Sequence, residues 1–405
     1  MLTGKPMNRP KFQLLDEPMR LALRLARRGY GTTSPNPMVG AVLMKAGSII
    51  GRGWHRQAGG PHAEIEALED AQKHGHHPKG ATLYVTLEPC CTHGRTPPCT
   101  DAIRAAGIQR VIVGTVDPNP KHAGRGLGIL RRAGLEVRLL GHQPGNRKDA
   151  SAQKLADECA RLNESFNHWM LHRTPFVTVK AAMTLDGKIA TAGGESKWIT
   201  GEAARACGMK LRQGSDAILV GINTILKDDP SLTFRWGPKS KGNIHRPRLK
   251  RIVLDSRART PLTAKVVSDE HAALTTIVVS ERAPRKRVAA LARCVNVLVA
   301  PTKYSALRSL PAALELGWLL GKLGAENVTS LLVEGGGEVN ASFLLGGFAQ
   351  RVAFFYAPKI LGGRDSRKAV AGEGVKNLSE VIQLCEVEWR QLGSDLGMTA
   401  RVVAG

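Results

Sequence analysis

His62, Glu64, Cys90 and Cys99 are the residues of this 405-residue chain whose types and spacing could do chemistry. One imidazole and two thiolates make a zinc donor set, and three protein ligands leave a fourth position open for water. Zinc in such a site brings the pKa of that water toward neutrality, so that it can attack an amidine-like carbon. Glu64 stands two residues beyond His62, near enough to relay protons without being a ligand. A His-x-Glu followed by Pro-Cys and a further Cys is the pattern of hydrolytic deamination, with the Glu as general acid and base. Here eight residues separate Cys90 from Cys99, far more than in the short Pro-Cys-x-x-Cys form.

Other residues compete for these roles. Cys91 adjoins Cys90, and either could face the metal. Cys159, Cys207, Cys294 and Cys385 are scattered singly through apolar or helical contexts, which reads as buried small hydrophobes. His74, His76 and His77 cluster before Pro78 in a polar stretch without a cysteine nearby, which reads as a solvated loop. His93 lies within the ligand loop and could meet substrate or brace the loop.

The elements that must position these groups follow from periodicity. Asp16 can cap a helix from Pro18 onward, with Met19, Leu21, Ala22 and Leu25 as its apolar face and Gly29 and Gly31 beyond its end. Residues 39–44 and 49–54 read as strands around a turn at Gly47. Pro61 precedes a helical run through Ala71, which predicts His62 and Glu64 on a first turn, where free amides and the helix dipole favour negative charge. A strand over 81–87 leads to the ligand loop, and a helix over 99–106 begins on the third ligand. Strands over 110–116 and 135–140 complete an α/β layer. Between them Gly124, Gly126 and Gly128 imitate a dinucleotide fingerprint without its strand phase or its acidic partner, which reads as a turn and loop. A polar helix over 146–170 leads to Pro175. Beyond it come strands over 176–182 and 187–192, a helix over 201–213, and strands over 217–220, 252–254, 276–279 and 295–300.

Length favours two domains with separate cores. Seven cysteines without regular spacing, together with a thiolate metal site, suit a reducing cytoplasm. No apolar stretch approaches a membrane span, and residues 1–12 lack the apolar core of a secretory signal. The net charge of +24 raises the question of nucleic acid. Residues 1–150 hold 22 Lys/Arg against 11 Asp/Glu, and residues 151–405 hold 36 against 23, so the excess is +11 and +13. A charge spread over both halves predicts a generally cationic surface that attracts phosphorylated small molecules. Aromatics are 4% of the chain, poor material for the stacking platforms of single-strand binders.

A second chemistry is written in residues 331–338, Leu-Leu-Val-Glu-Gly-Gly-Gly-Glu, where an apolar strand runs into three glycines and a helix starting near Asn340. Consecutive glycines let backbone amides approach a pyrophosphate, and the helix start adds its dipole. Residues 180–187 (Lys-Ala-Ala-Met-Thr-Leu-Asp-Gly), 194–200 (Gly-Glu-Ser-Lys-Trp-Ile-Thr) and 228–235 (Asp-Asp-Pro-Ser-Leu-Thr-Phe-Arg) precede it in order.

These segments, with 87–99 (Leu-Glu-Pro-Cys-Cys-Thr-His-Gly-Arg-Thr-Pro-Pro-Cys), 34–40 (Ser-Pro-Asn-Pro-Met-Val-Gly), 59–61 and 117–120, resemble the bifunctional riboflavin-biosynthesis deaminase/reductases. The resemblance implies a cytidine-deaminase-like three-layer α/β/α domain followed by a dihydrofolate-reductase-like α/β domain. Its expected organisation is an N-terminal lead over 1–15, a zinc deaminase domain over 16–145, a helical linker over 146–174 and an NADPH-dependent reductase domain over 175–405.

Carried over residue by residue, the resemblance selects Cys90 over Cys91, assigns His62, Cys90 and Cys99 to zinc and Glu64 to catalysis, and puts Asn36 in the pyrimidine pocket. It implies NADPH contacts at Thr184, Trp198, Thr224, Asp228, Ser256 and Gly335, Gly336 and Gly337. Ser196, Arg212, Leu232, Arg235 and Glu334 would hold the phosphoribosylaminopyrimidine substrate, with the two arginines suited to its phosphate. Thr184 stands where many relatives have Ser and keeps the hydroxyl. The basic stretches 239–251 and 282–287 are solvated or hold the additional phosphate of NADPH. Relatives form homo-oligomers, so a dimer or tetramer is expected, with no nucleic-acid or membrane partner. Two other readings share part of the evidence: a tRNA-type base deaminase with a basic RNA-binding C-terminal module, and a non-catalytic zinc-stabilised module.

Overall fold

Apolar runs on either side of Gly47 pair as an antiparallel hairpin, β1 (Gly40–Lys45) and β2 (Ser48–Trp54). The chain as a whole is described by a computed structural model over residues 13–93, 97–141, 149–234, 249–303 and 313–403. It divides between Leu171 and His172 into two compact units.

In the first unit, β1 also pairs antiparallel with β3 (Thr82–Val85), and β4 (Arg110–Val113) and β5 (Glu136–Leu139) continue in parallel, giving the order β2-β1-β3-β4-β5. One face carries α2 (Ala63–Lys73), α3 (Cys99–Ala105) and α4 (Arg125–Arg132), whose core includes Ala63, Ala67, Ile103 and Leu127. The other carries α1 (Gln13–Ala26) and α5 (Ala150–Leu162), packed through Met19, Leu23, Leu155 and Cys159. The result is the expected three-layer α/β/α sandwich. Helix α1 begins at Gln13, so Asp16 lies in its first turn and does not cap it, and Pro18 is inside the helix.

The expected polar helix over 146–170 is two helices, α5 and α6 (Glu164–His172). Asn163 separates them. Its buried side chain accepts from Met38 N at 2.7 Å and donates to Met38 O at 2.9 Å, fastening the break to the first unit.

Nine strands of the second unit form one sheet, and the chain order sets where ligands can reach it. Strands β6 (Phe176–Thr184) and β7 (Lys188–Ala190) precede α7 (Glu202–Gln213), β8 (Ala217–Gly221), α8 (Ile222–Asp228) and β9 (Lys250–Leu254). Then come α9 (Lys265–Ser268), β10 (Thr275–Ser280), α10 (Arg285–Ala292), β11 (Asn296–Ala300) and the two-residue strands β12 (Thr302–Lys303) and β13 (Ala313–Leu314). Helix α11 (Leu316–Ala325), β14 (Ser330–Val333), α12 (Gly337–Leu345), β15 (Arg351–Ala357), β16 (Arg367–Lys368), β17 (Leu384–Leu392) and β18 (Asp395–Val402) complete it. The sheet order is β11-β10-β9-β8-β14-β6-β15-β18-β17, with β12–β13 and β7–β16 as separate pairs. From β11 to β15 neighbours run parallel; β17 and β18 turn antiparallel at the edge.

Strand β14 inserts between β8 and β6, so connections diverge there and leave a crevice outside the carboxyl ends of these strands. Open α/β sheets bind ligands in such crevices. Sequence periodicity did not reach β15, β17 or β18: β17 is exposed along nearly its whole length and lacks the one-sided burial that makes a strand legible.

Two candidate active sites

In the first unit the close approach of α2 to β2 sets the site. A Cβ on Gly51 would fall 2.3 Å from Ala67 O, and one on Gly53 would fall 2.2 Å from Ala63 O. The glycines and the alanine stripe of α2 therefore bring helix backbone directly onto the strand. His62 is the extended N-cap residue of α2 and Glu64 its second residue, as the helical pattern after Pro61 predicted.

The His62 Nδ1 atom lies 3.2 Å from Cys99 Sγ and 3.4 Å from Cys90 Sγ, and Cys99 N donates to Cys90 Sγ at 3.3 Å. The three donor atoms all fall within 4.8 Å of one another. The Cys99 hydrogen bond, with His62 beside it, holds the Cys90 thiol down at about 4, while the same contact and burial push the Cys99 thiol up. A pair sharing one proton in this way is what a cation would separate by taking both sulfurs as thiolates. The donor set therefore fits zinc.

Glu64 is buried, and burial followed by the Cys90 charge raises its carboxyl to about 7. Cys91 turns away: its N and Sγ lie 3.4 and 3.5 Å from His122 Nδ1.

Asn36 is fixed by a residue that sequence reasoning missed. His55 is buried at the end of β2, and burial lowers its pKa, so the ring is neutral. Its Nδ1 donates to Pro61 O at 2.9 Å, which leaves Nε2 as an acceptor for Asn36 Nδ2 at 3.2 Å. The Asn36 carbonyl is thereby left to accept from an amine. The His55 and His62 rings stand edge to face at 5.5 Å. A single histidine at a strand end carries no pattern that distinguishes this role.

Glu88 is a second missed residue. Its buried carboxylate accepts from Asp117 N, Gly124 N and Leu127 N at 2.9–3.2 Å. It occupies the N-terminus of α4, so the Gly124, Gly126 and Gly128 run is a helix start rather than the expected loop. A Cβ on Gly126 would fall 2.4 Å from Pro89 O, so this glycine serves the approach to the ligand loop. His74, His76, His77 and His93 are exposed, in keeping with a solvated setting. Cys159 is buried, with its thiol pushed up to about 12 by burial, but Cys294 and Cys385 are exposed, against the expectation of buried hydrophobes. Each sits where an element meets solvent, just after α10 and on the edge strand β17.

In the second unit Thr184 ends β6, Thr224 and Asp228 lie on α8, Ser256 follows β9, and Gly335 follows β14. Thr184, Ser256 and Gly335 stand at the carboxyl ends of parallel strands around β14, and α8, with Thr224 and Asp228, follows the carboxyl end of β8. Glu334 carries two parallel hydrogen bonds from Arg212, Nε to Oε1 and Nη2 to Oε2, each 2.9 Å, and Lys180 Nζ lies 3.7 Å from Oε2. Burial alone would raise the Glu334 carboxyl; the Lys180 charge and the Arg212 hydrogen bonds outweigh it and hold the group at about 2. Lys180 was quoted in the sequence only as part of a motif. A lysine within an otherwise apolar strand is the signal that could have singled it out.

The three glycines divide the work. A Cβ on Gly335 would fall 2.5 Å from Val339 Cβ and one on Gly337 2.3 Å from Lys368 O, whereas one on Gly336 would meet nothing within 4 Å. The N–H groups of Gly335, Gly336 and Gly337 have no partner among the described residues, at the start of the nine-residue α12. Unpaired amides at a helix start, with open space beside Gly336, fit the phosphates of a dinucleotide.

Thr184 is buried and its hydroxyl bonds Asp186 Oδ1 at 2.5 Å and Lys188 N at 3.0 Å. Asp186 also accepts from Leu361 N and Gly362 N, tying two loops together. Trp198 is 68% exposed under the Arg205 guanidinium, and Lys359 Nζ donates to Trp198 O and Ile199 O. Ser196 is half-buried. The Leu232 side chain is packed in the core with Ile218 and Val253, so only its backbone can meet a ligand. Arg235 and most of 239–251 lie outside the described residues. Within 282–287, Arg287 belongs to α10 and donates to Ala258 O and Thr260 O, so it is committed to the loop after Ser256.

Fold and donor sets together define a zinc-dependent hydrolytic deaminase joined to an NADPH-dependent reductase. Residues 13–115 match the cytidine and deoxycytidylate deaminase zinc-binding region, and residues 175–398 match the RibD C-terminal domain. The riboflavin biosynthesis protein RibD of Aquifex aeolicus is 41% identical over 378 residues, covering 93% of this chain and 96% of that protein. RibD of Escherichia coli is 37% identical over 386 residues, covering 93% and 96%. The solved structure of Acinetobacter baumannii RibD superposes with a TM-score of 0.80 at 33% identity, covering 97% of this chain and all of that one. A Thermotoga maritima structure described as a diaminohydroxyphosphoribosylaminopyrimidine deaminase/5-amino-6-(5-phosphoribosylamino)uracil reductase gives 0.77 at 35% identity, covering 96% and 99%. The chain belongs to the RibD family of bifunctional deaminase/reductases of riboflavin biosynthesis. No RNA-binding module is needed to account for the second unit, and no helix among the described residues is long and apolar enough to cross a membrane.

Proposed function

We propose that the chain deaminates 2,5-diamino-6-(5-phosphoribosylamino)pyrimidin-4-one and then reduces the ribosyl group of the product to ribityl. The observation that carries the first step is the convergence of His62 Nδ1, Cys90 Sγ and Cys99 Sγ beside the buried Glu64. Zinc, when bound by these three, lowers the pKa of a water that can add to C2 of the pyrimidine. Glu64, buried and with its carboxyl raised to about 7, moves the proton from that water to the departing amine, which leaves as ammonia. Asn36, its amide nitrogen engaged by His55, accepts from the pyrimidine through its carbonyl oxygen.

In the second step NADPH supplies the hydride to C1 of the opened ribosyl imine. Thr184, Trp198, Thr224, Asp228, Ser256 and Gly335 to Gly337 hold the cofactor, and Ser196, Arg212, Leu232, Arg235 and Glu334 hold the substrate. Arg212 and Lys180 keep Glu334 ionised, so the substrate meets a carboxylate acceptor there.

The partners proposed are this phosphoribosylaminopyrimidine and a second copy of the chain, with no nucleic acid or membrane. Homo-oligomer formation is supported by β17, the last strand of its sheet among the described residues, where Val387 is 46% and Trp389 59% exposed. A cytoplasmic location agrees with seven unpaired cysteines, two of them in a thiolate metal site. Purified protein given the diaminopyrimidine phosphate should release one ammonia and oxidise one NADPH per substrate. Ammonia release without NADPH oxidation, or tight salt-dependent RNA binding, would overturn the reading.

A further inference from the structure

Alternate carbonyls of the loop after α8 are gripped by cations from three other elements. Lys265 Nζ donates to Asp229 O at 3.1 Å, Arg251 Nη1 to Ser231 O at 3.0 Å, and Arg212 Nη1 to Thr233 O at 3.1 Å. Between the last two lies Leu232, in the left-handed region at φ +51° with its side chain buried. A peptide unit is planar and trans, so its N–H points opposite to its C=O. Fixing Ser231 C=O toward Arg251 therefore fixes the Leu232 N–H to point away from Arg251. No partner for that N–H exists among the described residues.

Arg251 is built to hold this direction. It is fully buried, and all five of its N–H groups are engaged. Nη1 donates to Ser231 O and, at 2.7 Å, to Asp269 Oδ2; Nη2 donates to Asp269 Oδ1 at 2.8 Å and Val266 O at 3.2 Å; Nε donates to Thr275 Oγ1 at 2.8 Å. A buried ion pair often adds less stability than apolar side chains of the same volume, so its presence calls for a role in geometry.

We propose that Arg251 is a positioning residue of the reductase step, which aims the Leu232 N–H at an acceptor oxygen of the phosphoribosyl substrate. This rests on the reading that the loop around Leu232 holds that substrate. Arg251 touches neither substrate nor cofactor; it acts through the Ser231–Leu232 peptide.

The test is steady-state kinetics on full-length Arg251→Lys, whose ammonium keeps the charge opposite Asp269 but cannot donate in five directions at once. The expected result is a roughly tenfold higher KM for the deaminated phosphoribosyl substrate, with the KM for NADPH within about twofold and ammonia release unchanged. Asp269→Asn, at a partly exposed position, should give the same split at about threefold and serves if Arg251→Lys does not fold. Unchanged substrate KM in the folded variants, or substrate and NADPH KM rising together, overturns the proposal. Arg212→Lys separates the two levels. If it raises substrate KM while both Arg251→Lys and Asp269→Asn leave it alone, only the role of Arg251 falls; if it too leaves KM unchanged, the substrate reading of this loop falls with it.

Discussion

Asn36 Nδ2 lies 3.2 Å from His55 Nε2, and the His55 Nδ1–H bond to Pro61 O makes that nitrogen an acceptor. His55 thus decides which end of the Asn36 amide is left for the proposed pyrimidine. Replacement by Phe keeps the ring volume and removes the acceptor, freeing the amide to turn. His55→Phe should raise the KM for deamination about fivefold to tenfold, with zinc content and NADPH oxidation on the deaminated product unchanged. An ammonia-release assay with metal analysis checks both.

Cys90 and Cys91 face different partners, His62 and His122. Cys90→Ser should therefore lose zinc and lower deamination by about 10³-fold or more, while Cys91→Ser keeps zinc and stays within about threefold. Zinc retained in Cys90→Ser and lost in Cys91→Ser would reverse the ligand assignment. Glu64→Gln should keep zinc yet slow ammonia release by about 10²–10⁴-fold, the usual worth of a general acid–base group.

Gly336 and Gly337 are neighbours with opposite demands. A Cβ on Gly336 meets open space at φ −74°, whereas one on Gly337 would fall 2.3 Å from Lys368 O. Gly336→Ala should leave the melting temperature unchanged and raise the KM for NADPH about tenfold. Gly337→Ala should lower stability by about 1–3 kcal/mol through overpacking. Thermal unfolding alongside cofactor titration distinguishes the two.

Glu334 gives the reductase unit an acid limit. Its folded pKa, about 2, is below the ordinary 4.5, so its contribution is complete above pH 4.5 and is lost as pH falls toward 2. That contribution is roughly 2–3 kcal/mol at neutral pH, from about 1.4 kcal/mol per unit and some allowance for screening. The stability gap between the native chain and Glu334→Gln should shrink by about half between pH 6 and pH 3, measured by denaturant unfolding. A gap independent of pH would show that the Glu334 pKa is the same folded and unfolded, so that the Arg212 and Lys180 contacts do not favour its ionised form.

Trp389 on β17 offers a direct test of self-association. It is 59% exposed, its ring 6.0 Å from that of Tyr356, on the last strand of the sheet among the described residues. Trp389→Glu should shift the sedimentation coefficient to that of a monomer at micromolar concentration. A native chain that already sediments as a monomer would remove the oligomer.

The zinc donors were legible in sequence because liganding demands particular atom types, and Pro61 and the apolar spacing after it gave away the helix that carries two of the groups. The glycine run after β14 was legible for a related reason, since backbone approach leaves no alternative residue. His55 and Lys180 were harder to read: their roles depend on what stands across the fold, Pro61 O for one and Glu334 for the other. Arg251 looked like the end of a basic loop, and only the fold makes it a buried hub. The C-terminal hairpin escaped notice because an edge strand exposed on both faces has no hydrophobic period to detect.

Helix α5 bears on where the chain can be cut. Leu155 and Cys159 fill the first unit's core, and a Cβ on Gly114 would fall 2.4 Å from Cys159 Sγ, so α5 is seated directly on the end of β4. Ending the polypeptide after β5 would strip α5 from the layer it shares with α1 and open the core that Leu155 and Cys159 share with Ile112. A free-standing first unit must run through Asn163 to keep its clasp on Met38; a shorter one should be recovered as aggregate even with every zinc donor in place.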